Sequence, residues 1–195
     1  MHVARCCRHL AVALTAWFVL AAVGGFPARA ADTDVSLVPW RVLDPGTHPP
    51  KTAFTLFWIP VSPAEMRHSG LITSRRLLFY SGRCVGMQVV RPDDRDRLAK
   101  LSAGAAPLAI FVEGEKEIAR LATDAASEVE AMVRQAIDTR EASLNAVLDD
   151  ASSKAAAGDR DTAIDLYRSV AAQDCAYPRL AKTAQRALKR LGVKR

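Results

Sequence analysis

The chain has 195 residues, half of them hydrophobic, with 27 Lys and Arg against 21 Asp and Glu and a formal charge of +6. Three arginines and no acid fall within the first 30 residues, so the remainder holds 24 cations against 21 anions, a charge of +3. A surplus that small, with cations interleaved among acids, gives no basis for nucleic-acid binding.

The first segment reads as a signal for export. Arg5 and Arg8 precede an apolar stretch from Leu10 to Val23 that is broken only by Thr15, and Gly24, Gly25 and Pro27 follow. Ala28-Arg29-Ala30 has the small-x-small pattern of a signal-peptidase site, which puts the signal peptide at 1–30 and the cut before Ala31. The stretch is shorter than the roughly 20 apolar residues of a membrane-spanning helix, and nothing later in the sequence is apolar enough to span. Cys6 and Cys7 precede the apolar stretch, where they leave with the peptide. The expected location is the periplasm or the exterior; the signal is common to both.

Residues 31–50 read as an extended lead-in, because Pro39, Pro45, Gly46, Pro49 and Pro50 prevent a long regular element. Ala53–Ile59 is a continuous apolar and β-branched run, which fits a strand buried on both faces. Ser62-Pro63-Ala64-Glu65 then has the form of a helix start, with Ser as N-cap, Pro at the first helical position and Glu at the third. This helix is expected to continue through Leu71, Leu78 and Phe79 to Gly82, with Gly70 as its point of interruption. Cys84–Val90 reads as a second strand, and Asp93 or Asp94 can cap a short helix ended by Gly104. Pro107 introduces the strand Leu108–Val112, and Glu113-Gly114 turns it back into Lys116–Leu121. Beyond Ala122 the composition becomes alanine-rich, charged and nearly free of Gly and Pro. Val129, Met132, Val133, Ala136 and Ile137 recur there at helical spacing, and a last amphipathic helix follows Pro178.

The order strand, helix, strand, helix and a proline-led hairpin resembles the thioredoxin fold. Phe57-Trp58-Ile59-Pro60-Val61-Ser62-Pro63-Ala64-Glu65 aligns without gaps with that family's redox segment, and Ala106–Ile118 is similar to its proline-strand-turn-strand segment. The resemblance covers about residues 50–138. It implies an α/β fold, a mixed sheet flanked by helices over 51–138, and a cis peptide bond before Pro107. It also implies a groove for an extended ligand at Trp58, Ser62, Glu65 and Pro107. The departure is chemical: Ser62 and Glu65 stand where the two redox cysteines would be, and neither can carry thiol-disulfide exchange. No catalytic residue is expected at this position, since the N-cap role of Ser62 accounts for it without a catalytic one, and His68 has poor reach back to a serine nucleophile. The tail, 139–195, is expected to form a helical hairpin or short bundle, and Gly158-Asp159 with Ala163, Ile164 and Tyr167 is similar to the second half of a tetratricopeptide repeat.

Two cysteines remain after the cut, Cys84 and Cys175, in a chain bound for an oxidising compartment; they can form one disulfide or stay as two buried thiols. His48 and His68 are far apart without ligand-spaced partners, so no metal is expected, and no cofactor. The function these features imply is non-catalytic binding of a protein or peptide. The competing reading is a thiol-dependent redox protein acting through Cys84.

Overall fold

The computed structural model describes residues 36–193. The expected signal peptide and its cut lie outside these residues. A five-stranded mixed sheet is built from β1 (Arg41–Leu43), β2 (Phe54–Ile59), β3 (Val85–Val90), β4 (Leu108–Glu113) and β5 (Lys116–Leu121), in the order β1-β3-β2-β4-β5. Among the described residues six helices accompany it: α1 (Pro63–His68), α2 (Arg75–Ser81), α3 (Arg95–Lys100), α4 (Ala126–Ala156), α5 (Arg160–Ala171) and α6 (Pro178–Arg190). β3 runs parallel to both β1 and β2, whereas β4 is antiparallel to β2 and to β5.

β2 lies at the centre, and its unbroken apolar run is explained by its two buried faces. Phe54, Leu56 and Trp58 point into one core with Val85, Met87, Val89, Ala109 and Phe111. Phe57 and Ile59 point into a second, smaller core with Leu43, Val90, Leu108, Ile110 and Val112, which Leu98 and Leu101 on the α3 side cover. The period-two alternation of a strand thus divides a sequence with no polar face between two layers of helix.

The helix expected from Ser62 to Gly82, with its interruption at Gly70, is two helices separated by a break that contains Gly70. The chain turns extended at Ser69, Leu71 is fully buried, and α2 restarts with Ser74 as N-cap. The break has tertiary causes: the Leu71 carbonyl accepts from the Trp40 indole at 2.9 Å and the Ile72 carbonyl accepts from the Val38 amide at 2.8 Å. Those bonds replace the helical pairing of the same carbonyls. The lead-in holds one short strand, β1, which pairs Arg41 to Leu43 with Gln88 to Val90.

α4 has 31 residues and passes through 138 and 139, the expected end of one domain and start of the next, without interruption. Its first half buries Val129, Met132 and Val133 against the sheet, and its second half buries Leu144 and Ala151 where α5 and α6 pack. Gly158, at φ +84°, ends it with a pair of backbone bonds, Asp159 N–H to Lys154 O and Gly158 N–H to Ala155 O, a left-handed closure that favours glycine. α5 and α6 return against α4, and Tyr177 at the start of α6 meets Phe54 of β2 edge-on, ring centres 6.2 Å apart. Cys84, just before β3, is disulfide-bonded to Cys175, just before α6, with Cα atoms 5.8 Å apart. The tail therefore docks on the sheet of its own chain. Among the described residues no helix is long and apolar enough to cross a membrane.

Candidate binding groove

The site that the structure offers is a groove at the carboxyl end of β2. Pro60 cannot donate to a neighbouring strand, so β2 stops at Ile59 and the backbone turns through Val61 into α1. Ser62 has an extended backbone, and its hydroxyl accepts from the Glu65 amide at 3.2 Å, while Pro63 fills the first helical position. Among the described residues the Glu65 carboxylate makes no bond back to the Ser62 amide, so the cap at this helix start is the Ser62 hydroxyl alone.

Next to this helix start lies an opening of about 470 Å³, walled by Val42 of β1, Val61, Pro63, Met66 of α1, Val89 and Pro92. Its surface is mostly apolar. Val42 and Val61 are 50% and 46% exposed, an uncommon condition for two valines that share one hollow. Arg91 and Asp93 form its polar rim, joined by two bonds of 2.9 and 2.6 Å. The bond from Arg91 holds the Asp93 carboxyl below its ordinary range. Among the described residues β1 is the last strand on its side of the sheet, and the backbone groups on its outer edge have no strand partner beside the groove.

Of the four residues expected at a groove, Ser62 lines it. Glu65 turns to the other side of α1 and borders a separate shallow opening with His68 and Asp124. Trp58 is 0% exposed and packs edge-on against Trp40, ring centres 5.3 Å apart, so it belongs to the core beneath the groove. Pro107 is half-buried, its peptide bond with Ala106 is cis, and it follows the Ile59–Leu108 pair outward, which sets it beside Pro60. Sequence reasoning did not reach Val42, Val61, Met66 or the Arg91–Asp93 pair. A lone apolar residue between Pro60 and Ser62 was the one available signal.

Sulfur is remote from this site. Phe54 pairs with Val85 at the opposite end of the parallel strands β2 and β3, so Cys84 and the groove are separated by the strand length, about 20 Å at the usual rise per residue. A ligand lying against Ser62 is out of reach of the Cys84–Cys175 bond. A second hollow of about 540 Å³, between Thr47, Phe57 and α3, is lined by charges of both signs. There Arg97 bonds Asp94 at 3.0 Å and the Asp44 and Thr47 carbonyls at 3.0 and 2.8 Å, so it serves as a brace for the loop. Among the described residues no cluster of His, Cys, Asp or Glu could hold a metal ion.

No protein-family model matches this chain, and a comparison with curated proteins finds no match.

Proposed function

We propose that this chain is an exported, redox-inactive thioredoxin-like module that binds an extended segment of a protein or peptide in the groove at the start of α1. The observation that carries the reading is the pairing of an apolar hollow, with half-exposed Val42 and Val61, with a helix start that bears Ser62 and Glu65 instead of sulfur. The strand order β1-β3-β2-β4-β5, with β4 reversed against β2, supports the thioredoxin-like part. The Cys84–Cys175 bond is compatible with export into an oxidising compartment.

Physically, the groove suits a chain that offers a side chain to Val42 and Val61 and lays its backbone along the free edge of β1. Removing the exposed half of each valine from water contributes about 1 kcal/mol apiece. A carboxylate there would be desolvated against apolar walls.

The test is a screen of extended heptapeptides against the purified mature protein, followed by titration of the selected peptides. Val61→Asp and Val42→Asp are each expected to weaken binding at least about tenfold, the factor that corresponds to about 1.4 kcal/mol. Insulin reduction should stay at background for wild type and Cys84→Ser alike. Equal peptide binding by the variants removes the groove from the account, and insulin turnover that disappears in Cys84→Ser favours the thiol-dependent reading.

A further inference from the structure

The last helix carries charge that the fold does not use. α6 holds Arg179, Lys182, Arg186, Lys189 and Arg190 and no acidic residue. Arg179 pairs with Glu141 on α4 at 2.8 Å. Lys189 and Arg190 stand in the last turn, where cations favour the helix dipole. Neither explanation reaches Lys182 and Arg186 in the middle of the helix. Among the described residues they make no ion pair, and both are exposed.

Their placement is regular. Lys182, Arg186 and Lys189 are separated by four and three residues, so they form one stripe on α6 about 10 Å long. Like charges at these spacings destabilise a helix. The stripe borders a hollow of about 920 Å³ between α6 and α5, which Arg168 completes from the facing helix and Leu188 and Val193 floor. Asp165, on α5, meets Arg168 at 3.4 Å in an exposed pair, and among the described residues no acid pairs with the other three cations. At one end of the hollow the Val193 amide donates to the Leu188 carbonyl at 3.0 Å, and the Arg160 guanidinium at the start of α5 donates to the Leu191 carbonyl.

We infer that this hollow is a second binding site, which takes an acidic protein segment whose carboxylates face Lys182, Arg186 and Lys189 while an apolar side chain rests on Leu188 and Val193. Charge complementarity sets the sign of the occupant, and concavity sets its shape. A narrow chain can enter between two helices; a flat anionic membrane cannot. A membrane-binding helix would also present apolar residues for insertion, whereas the large exposed hydrophobics of the described residues, Leu37, Val42, Val61, Phe79 and Ile118, all lie outside α5 and α6. Arg186 and Arg168 add the forked geometry that accepts a carboxylate through two parallel bonds. The site depends on α5 and α6 alone and is independent of the groove at α1.

The probe is a fluorescein-labelled peptide with glutamates spaced by four and three residues and leucines on the adjoining face. Its control has glutamine at the same positions. With full mature protein in low salt, fluorescence anisotropy should report binding of the glutamate peptide that weakens as salt rises. The charge-reversed variant Lys182→Glu/Arg186→Glu/Lys189→Glu should lose at least about tenfold in affinity, and the neutral variant Lys182→Gln/Arg186→Gln/Lys189→Gln should fall between. Both triples alter exposed side chains, and circular dichroism verifies their fold. Val61→Asp should leave this binding unchanged, which separates its failure from that of the groove. Equal binding of the glutamine peptide, equal binding by both triples, or tighter binding of phosphatidylglycerol vesicles or inorganic polyphosphate than of the peptide would each overturn the inference.

Discussion

The Ser74 hydroxyl accepts from the Leu77 amide at 3.0 Å, capping α2, and donates to the Glu130 carboxylate of α4 at 2.6 Å. One buried oxygen therefore both starts a helix and fastens it to its neighbour. Arg76 stands 3.9 Å from the same carboxylate, 54% exposed, and contributes little by comparison. Ser74→Ala removes the cap and strands a carboxylate at the interface, and it should cost about 1–2 kcal/mol. For a domain of this size that is a fall in Tm of roughly 3–6 °C, read by thermal denaturation. Ser74→Asp keeps a cap but sets two carboxylates together. It should recover stability when combined with Glu130→Gln, and a recovery that does not occur would assign the loss to the cap alone.

At the scale of elements, α3 shows how a short helix can hold a loop. Asp94 caps it through the Arg97 amide at 3.2 Å and pairs with the Arg97 guanidinium, and both side chains are largely buried. Arg97 then reaches two carbonyls of the crossover between β1 and β2, which contains no helix. Arg97→Ala should leave the sheet folded while the Thr47 amide, bonded to the Asp44 carbonyl at 3.1 Å, exchanges with solvent much faster. Unchanged protection at Thr47 would show that the loop is held by other means. The Asp94 cap was legible in the sequence because its signal is local, and so were β2, β3 and β4, whose apolar runs end at proline, glycine or charge, and β5, which follows the turn at Gly114. β1 was not: its three residues are too few for a pattern, and its partner strand lies more than forty residues away. Gly70 marked where the helix from Ser62 is interrupted, but the length of the break was hidden, since the Leu71 and Ile72 carbonyls leave the helix for bonds with Trp40 and Val38 that no local spacing encodes. The groove was half legible for the same reason. Ser62 and Pro63 follow from capping rules, whereas Val42, Val89 and Arg91 arrive by strand pairing.

At the scale of the whole molecule, the sheet, α4 and the tail share one core that runs from Leu56 and Trp58 to Ala163, Tyr167 and Leu180. The Cys84–Cys175 bond closes a span of 91 residues across that core. Cys84→Ser/Cys175→Ser should lower stability by about 2–5 kcal/mol through the freed unfolded chain. Because the core is continuous, sheet and tail should still melt together, with near-UV and far-UV dichroism changing at the same temperature. Tyr177 adds a pH dependence. Burial raises its phenol above the ordinary tyrosine value, and its hydroxyl donates to the Ile137 carbonyl at 3.2 Å. The raised folded value means that the unfolded chain loses this proton first, so the contribution is intact below pH 10 and declines as pH rises beyond it. Tyr177→Phe should flatten that alkaline decline in denaturant titrations.

The central claim, that an extended segment of another protein occupies the groove at the start of α1, is tested most directly by photocrosslinking in the native cell. A photoreactive phenylalanine replaces Val61 in one strain and Ile118, exposed on the far edge strand β5, in another. Adducts that form from position 61, are absent from position 118 and disappear when Val42→Asp is added are the result expected. Equal adducts from both positions, or adducts from position 118 alone, would contradict the account.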